Sequence, residues 1–245
     1  MRVGDADPPV TRRPRRRPAA VVFDLDGTLV DSMTIAPAVY ADTIRALGGP
    51  VVSPADVVAT WHIGATPAVL AHFLGRPVAA GDLDCFQRHF EAATGDVQPF
   101  PGVLDLVDAL DRAGCRLGIF TAASRRTTPL LLASTGLDRL FPVVVCGDDV
   151  AAPKPAPDGL RLACRRLGVD VTETAYVGDA AVDLGCAEAA GALAVHARWG
   201  VTSPAVPEAR MVAHRPADVL DLLSVPPSDP ADAPGRPATS RGDHR

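Results

Sequence analysis

Short apolar runs alternate with amphipathic stretches along much of the chain. Runs rich in Val, Ile and Leu and bounded by Gly, Pro or Asp are typical of buried strands. They predict strands at 20–24, 115–121, 142–147, 174–178 and 192–197. Stretches with an apolar residue at every third or fourth position predict helices at 103–113, 127–134, 158–167 and 181–190. This alternation predicts an α/β fold whose core is a Rossmann-like, doubly wound parallel sheet.

Residues 33–95 interrupt the alternation. Their pattern predicts helices only, separated by Gly or Pro, at 35–47, 54–61, 66–74 and 83–94. Helices packed directly on the sheet would account for this, but so long an excursion between two strands favours a separate unit. We therefore predict a catalytic core formed by 19–32 and 96–225, with a small α-helical cap domain inserted at 33–95.

Both ends of the chain are polar and rich in proline and arginine. Residues 1–17 contain six arginines and two aspartates, a formal charge of +4, which leaves −9 for the rest of a chain of net charge −5. We predict a disordered basic arm at 1–18 and a disordered tail at 226–245. A basic arm can bind nucleic acid or a membrane, or act in targeting. The acidic body nevertheless makes nucleic acid an unfavoured partner.

Hydropathy and cysteine content narrow the class of protein. The 245 residues are 47% hydrophobic, which suits a globular core, and no apolar run approaches the roughly 18 residues of a membrane helix. The five cysteines include no C-x-x-C pair, so neither a disulfide framework nor a zinc site is indicated. Such cysteines are typical of core residues in a reducing compartment. We predict a cytoplasmic protein that does not associate with membranes.

Two carboxylates follow the first predicted strand, in the segment FDLDGTL at 23–29. That end of a strand is where α/β sheets bind ligands. Asp24 and Asp26 would share one face of an ideal strand, whereas a bend at Gly27 would separate their roles. The pair suits a metal ion, a nucleophile with an acid/base, or both. Alternatively, the Asp-Gly dipeptide could close a β-hairpin.

The segment FDLDGTLVDS at 23–32 resembles the first motif of the haloacid dehalogenase-like (HAD) hydrolase superfamily. Its LVDS continuation is similar to the phosphoglycolate phosphatase-like branch. Later elements fit the same pattern in order: Thr121 at a strand end, Lys154 in a Lys-Pro pair, and a Gly-Asp-x-x-x-Asp motif with Asp179 and Asp183. Lys154 is the one lysine beside 23 arginines. Each element alone has an ordinary structural explanation, but their shared order argues against coincidence.

The resemblance implies a phosphoric monoester hydrolase that forms an aspartyl-phosphate. Asp24 would be the nucleophile, and Asp26 would protonate the leaving oxygen and then activate water. The implied cofactor is Mg²⁺, whose ligands would be Asp24, the Asp26 main-chain carbonyl and Asp179, with Asp183 in support. The residues implied in phosphate binding are Thr121, Ala122 and Lys154.

Substrate choice is less clearly indicated. Relatives often have Asn after the motif threonine, where this chain has Ala122, so a substrate contact would be missing or supplied by Ser124 or Arg125. We expect a small phosphorylated metabolite as the partner, with His62, Thr66 and Arg125 as candidate specificity residues. The sequence does not indicate which ester is hydrolysed or the oligomeric state.

Two other functions compete with the phosphatase. The dehalogenase and phosphonatase branches lack an acid at the position of Asp26, but a β-phosphoglucomutase-like sugar phosphomutase keeps it and stays an alternative. A non-enzymatic nucleic-acid-binding protein is a further one, against which the intact set of acids counts.

Overall fold

The sheet at the centre of the molecule is parallel throughout. A computed structural model describes residues 17–60, 63, 66–200, 206 and 209–225. The strands are β1 (Ala20–Phe23), β2 (Arg116–Phe120), β3 (Val143–Val145), β4 (Thr174–Gly178), β5 (Leu193–Ala197) and β6 (Val212–Ala213). Their order across the sheet is β3-β2-β1-β4-β5-β6. Because β2 and β4 flank β1, the chain changes direction across the sheet at β1, where α/β folds bind ligands. The predicted fold class is confirmed.

Helices cover the sheet and form the segment after β1. Helix α5 (Val103–Arg112) precedes β2, and α6 (Thr128–Thr135), α7 (Asp158–Leu167), α8 (Ala181–Ala190) and α9 (Asp218–Leu222) follow β2, β3, β4 and β6. Between β1 and α5 lie α1 (Ala36–Ala46), α2 (Pro54–Ala59), α3 (Thr66–Leu74) and α4 (Ala80–Ala93). None of the described helices is long and apolar enough to cross a membrane.

Strand β1 is apolar throughout because both of its faces are buried. Val21 and Phe23 belong to one hydrophobic cluster, and Ala20 and Val22 belong to a second. All four side chains are fully buried. A parallel strand covered on both sides needs such a continuous apolar run rather than an alternating one. The run ends where Asp24 begins the site.

The segment between β1 and α5 folds around aromatic contacts. Tyr40 on α1 packs on Phe86 of α4 with ring centroids 4.8 Å apart, and these residues join the hydrophobic cluster on one side of the sheet. Two polar contacts tie α4 to the loop after β2. Arg126 Nη1 lies 2.7 Å from Asp84 Oδ1, and Gln87 Nε2 donates to the Arg126 carbonyl at 2.9 Å. The division into core and cap domains stays a prediction.

The structure differs from the predicted elements mainly at their ends. The strand expected at 142–147 spans only Val143–Val145, and the one expected at 20–24 ends at Phe23. Strand β6 and helix α9 were not predicted, because elements of two and five residues are too short to show a periodic pattern. Most of the predicted arm and the whole predicted tail lie outside the described residues.

Candidate active site

The acids predicted to form the site meet at the carboxyl ends of β1 and β4. Oxygen atoms from the carboxylates of Asp24, Asp179 and Asp183 lie within 4.8 Å of one another. The Asp24 N–H donates to the Val177 carbonyl at 2.9 Å, which continues the ladder between the two strands. Asp183 lies close to the other two acids because it is in the first turn of α8, which follows β4. The pairing of β1 with β4 and the start of α8 therefore fix the three acids relative to one another.

Two glycines permit the close approach of these acids. Gly27 has a φ of +80°, and a Cβ atom there would lie 2.6 Å from Asp179 Oδ2. A Cβ atom at Gly178 would lie 2.4 Å from the Cβ of Asp183. Real Cβ atoms do not approach other atoms so closely, so any side chain at either position would displace an acid of the site.

Lys154 lies between two of the carboxylates. Its Nζ donates to Asp24 Oδ1 at 2.6 Å and to Asp183 Oδ1 at 2.8 Å, and its side chain is 5% exposed. The ammonium also lies 4.9 Å from the ring centroid of Phe120 and 5.4 Å from that of Tyr176. Burial opposes the charge of Lys154, but the Asp183 and Asp24 carboxylates outweigh it and raise the pKa. The site therefore holds a permanent buried cation.

Asp26 has its own hydroxyl partners. Ser32 Oγ donates to Asp26 Oδ1 at 2.5 Å, and Thr121 Oγ1 donates to Asp26 Oδ2 at 3.4 Å. Burial raises the pKa of Asp26, against the lowering effect of the Ser32 hydrogen bond and of Lys154. Burial also raises the pKa of Asp24 well above its ordinary value, and the Lys154 ammonium opposes that rise. Asp24 has the Lys154 ammonium in direct contact, which favours its carboxylate form, so Asp26 with its hydroxyl partners is the acid of the two that is suited to carry a proton.

The loop after β2 brings Thr121 and Ala122 to the same edge of the sheet. The Ala123 N–H donates to Thr121 Oγ1 at 3.0 Å. A Cβ atom at Gly147 would lie 2.4 Å from the Ala122 carbonyl oxygen, so the loop rests directly on the backbone after β3. Thr121 is buried, and its hydroxyl faces Asp26.

The residues expected to replace the missing asparagine have other partners. Ser124 Oγ accepts from the N–H groups of Arg126 and Thr127 at 3.2 and 3.3 Å, ahead of α6. The Arg125 guanidinium forms an ion pair with the buried Asp149 carboxylate. A direct substrate role for Arg125 stays a prediction.

Of the two other candidate specificity residues, the structure describes Thr66. Its hydroxyl accepts from the Tyr40 hydroxyl at 2.8 Å. Burial raises the pKa of Tyr40 to about 12, opposed by the Thr66 hydrogen bond and assisted by the charge of Asp26. The two hydroxyls thus join α1 to α3, and Tyr40 lies close enough to Asp26 for the charge of that acid to affect its pKa. His62 lies outside the described residues.

Three further residues of the site were not predicted. Tyr176 donates its hydroxyl to the Phe120 carbonyl at 2.8 Å, Trp199 Nε1 donates to the Thr28 carbonyl at 2.8 Å, and His196 Nε2 lies 3.1 Å from the Asp179 carbonyl. Burial lowers the pKa of His196, and its bond to Asp179 opposes this. No sequence signal singles these residues out, because aromatic rings in or near strands are ordinarily core residues.

The chemistry of the clustered donors fits a hard cation. Asp24, Asp179 and Asp183 offer carboxylate oxygens, and no thiol or imidazole joins them among the described residues. Oxygen donors are preferred by Mg²⁺ and Ca²⁺, whereas structural zinc sites are built from Cys and His. The donor set therefore fits Mg²⁺ or Ca²⁺ better than zinc.

The comparison with known proteins identifies the class of this fold and site. The chain matches the haloacid dehalogenase-like hydrolase family over residues 21–197. It therefore belongs to that family, and the resemblance seen in the sequence is confirmed. The prediction that the chain is an enzyme of the hydrolase class is confirmed with it.

Individual relatives carry phosphatase names. A phosphoglycolate phosphatase of Cupriavidus necator is 36% identical over 197 residues, which cover 78% of this chain and 85% of the relative. An N-acetylmuramic acid 6-phosphate phosphatase of Pseudomonas aeruginosa is 30% identical over 220 residues, covering 85% and 96%. The crystal structure of CbbY from Rhodobacter sphaeroides in complex with phosphate superposes with a TM-score of 0.73 at 24% identity, covering 82% and 96%. At that identity the structural likeness supports the fold alone.

Proposed function

We propose that this protein is a Mg²⁺-dependent phosphatase that hydrolyses a small phosphomonoester, in the manner of phosphoglycolate phosphatase-like enzymes. The observation that carries the proposal is the buried Lys154 ammonium held against Asp24 and Asp183, beside a second acid at Asp26. A carboxylate nucleophile, an acid with raised pKa and a fixed cation are the groups that phosphoryl transfer through an aspartate requires.

Asp24, Asp179 and the main-chain carbonyl of Asp26 would hold the Mg²⁺ ion, with Asp183 in support. When bound, the ion would neutralise charge on the phosphoryl oxygens and on the carboxylates that surround them. The set of oxygen donors supports this assignment.

In the first half of the reaction, a carboxylate oxygen of Asp24 attacks phosphorus and the bond from phosphorus to the ester oxygen breaks. Asp26 gives its proton to that departing oxygen, so the product leaves as an alcohol. The raised pKa of Asp26 supports its holding this proton beforehand. The phosphoryl group is then covalently attached to Asp24.

In the second half, water attacks the phosphorus of the aspartyl-phosphate. Asp26, now a carboxylate, accepts the water proton, the bond between Asp24 and phosphorus breaks, and inorganic phosphate departs. Thr121, the Ala122 N–H and Lys154 would bind the phosphoryl oxygens through both steps. Such catalysis consists mainly of positioning and charge neutralisation.

The substrate we propose is a small phosphorylated metabolite. Relatives of similar identity are named for phosphoglycolate and for N-acetylmuramic acid 6-phosphate, so the shared chemistry supports the class and not one ester. We propose that Thr66, His62 and Arg125 contribute to the choice among esters. A cytoplasmic location is also proposed, supported by five buried cysteines that are all free.

The test is phosphate release from a panel of phosphoglycolate, sugar phosphates, nucleotides, pyrophosphate and phosphorylated amino sugars, each with and without Mg²⁺. We expect turnover of at least one phosphomonoester that requires Mg²⁺ and is abolished by Asp24→Asn. The matched control is Asp105→Asn, which changes an exposed acid on α5 and should retain wild-type turnover.

The same assay separates the competing functions. Conversion of a sugar 1-phosphate into the 6-phosphate, without free phosphate, would replace the phosphatase by a phosphomutase. Turnover retained by Asp24→Asn in a protein with an unchanged circular dichroism spectrum would refute Asp24 as the nucleophile. Release of phosphate that is independent of added Mg²⁺ and insensitive to EDTA would refute the cofactor.

A further inference from the structure

His196 occupies a strand position at which a polar ring is unexpected. It lies on β5, is fully buried, and pairs in register with Gly178 of β4. Gly178 has no side chain, and the space beside it is taken by Asp183. The imidazole of His196 reaches past Gly178 to the next peptide, where Nε2 lies 3.1 Å from the Asp179 carbonyl oxygen.

The contacts of the ring define its tautomer. A carbonyl oxygen only accepts hydrogen bonds, so Nε2 must carry the proton. Nδ1 is buried and has no hydrogen-bond partner in the described part of the chain, so it is the unprotonated nitrogen. Burying an unsatisfied polar atom costs about 1–3 kcal/mol. Leucine would fill similar space without that cost, so packing alone does not account for a histidine at position 196.

A second ring donor follows on the same stretch of chain. Trp199 Nε1 donates to the Thr28 carbonyl at 2.8 Å, and Thr28 Oγ1 in turn donates to Asp179 Oδ1 at 3.3 Å. His196 and Trp199 thus each donate to one main-chain carbonyl, His196 to that of Asp179 after β4 and Trp199 to that of Thr28 after β1. Asp179 is held at its peptide by His196 and at its carboxylate by Thr28.

We propose that His196 is a positioning residue for Asp179. Its Nε2–H bond fixes the peptide of Asp179, sets the direction in which that carboxylate faces Asp24, and thereby strengthens binding of the divalent cation. This inference rests on the proposed function, because it concerns the metal ligands of the same site. Partners that orient metal ligands typically change metal affinity or activity by about 10–100-fold when removed.

The test compares His196→Leu, which removes the donor, with His196→Gln, whose amide can donate from nearly the same place. Isothermal calorimetry with Mg²⁺ and no substrate measures the ion affinity directly. We expect His196→Leu to weaken Mg²⁺ binding by about tenfold and to lower kcat by a similar factor, with KM changed less than twofold at saturating Mg²⁺. His196→Gln should recover most of both losses.

Val195→Ala is the control for a purely structural effect. Val195 is also fully buried on β5, but it belongs to the hydrophobic cluster on the opposite face of the sheet. It should lower the unfolding temperature while leaving the Mg²⁺ affinity at the wild-type value. If His196→Leu yields no folded protein, His196→Asn takes its place, because the shorter amide cannot reach the Asp179 carbonyl.

Failure of the inference and failure of the proposed function give different results. Wild-type protein that releases phosphate and binds Mg²⁺, together with a His196→Leu variant that does both equally well, overturns only the role of His196. A His196→Gln variant as impaired as His196→Leu also overturns it, because the hydrogen bond is then not the cause. Wild-type protein that neither binds Mg²⁺ nor releases phosphate overturns both proposals.

Discussion

Replacing Gly27 with alanine tests whether the geometry of the acid pair governs activity. At a φ of +80°, the backbone of alanine is strained by about 1–2 kcal/mol, whereas that of glycine is not. The new Cβ would lie 2.6 Å from Asp179 Oδ2, whereas ordinary contacts begin at 3.4 Å. The carboxylate must therefore move by about 0.8 Å, and misplacement on the order of 1 Å can cost about 10²-fold in rate.

Gly48 offers a control with the same strain and no clash. Its φ is +78°, and a Cβ atom there would meet nothing within 4 Å. Gly48→Ala should therefore lose about 1–2 kcal/mol of unfolding free energy and keep its turnover. Gly27→Ala should lose about 1–3 kcal/mol more than Gly48→Ala, because it also forces atoms into an occupied space.

Urea denaturation and steady-state phosphate release, measured on both variants and the wild type, decide the question. The expected pattern is a kcat lowered by about 10²-fold for Gly27→Ala alone, equivalent to about 2.7 kcal/mol of transition-state stabilisation. Equal stability losses in the two variants, with wild-type kcat in Gly27→Ala, would show that Asp179 does not need its observed place.

Two other changes test the charges of the molecule. Lys154→Met leaves the buried Asp24 carboxylate without its cation, so we expect about 3–5 kcal/mol lower unfolding free energy in urea and no phosphate release; a loss below about 1 kcal/mol would contradict the buried ion pair. The pKa of Asp82 is lowered from an ordinary 3.8 to about 2. The largest cause is its hydrogen bonding to Arg76, and the second is the hydrogen bond from the Ala79 N–H. Its ionised form therefore stabilises the fold above about pH 4 and loses that effect as the pH falls toward 2. The unfolding temperatures of wild type and Asp82→Asn should accordingly differ near pH 6 and converge near pH 2, and a constant difference would exclude this linkage.

The parts of the site that the sequence predicts are those that end strands. Carboxyl ends of parallel strands converge, so Asp24 after β1 and Asp179 after β4 had to meet once the strands were recognised. Lys154 was identified by its likeness to the family's Lys-Pro motif and by its rarity in an arginine-rich chain, and the structure brings it to within 2.6 Å of Asp24. These inferences use strand position, residue type and the order of the family's motifs, all of which a sequence displays directly.

The supporting contacts could not be predicted in the same way. A pattern of apolar positions predicts that Tyr176 and His196 are buried, but not which carbonyl each ring nitrogen or hydroxyl reaches. That depends on register: His196 finds the Asp179 peptide because β5 pairs it with a glycine. Arg125 is a case in which the residue type suggested a substrate contact that register alone did not predict. Its guanidinium forms an ion pair with Asp149, in the loop after β3.

The charge of the assembled site argues for the cofactor independently of family membership. Three clustered carboxylates and the Lys154 ammonium give a formal charge of −2 when all are ionised. A phosphate ester brought to Asp24 would add negative charge in a space where burial weakens the screening by water. With Asp26 protonated, one divalent cation would bring these groups to neutrality before the substrate arrives, and a monovalent ion would not. Mg²⁺ should therefore bind before the substrate, and the affinity of the protein for inorganic phosphate, measured by calorimetry, should fall when Mg²⁺ is withdrawn; equal affinities with and without Mg²⁺ would contradict the argument.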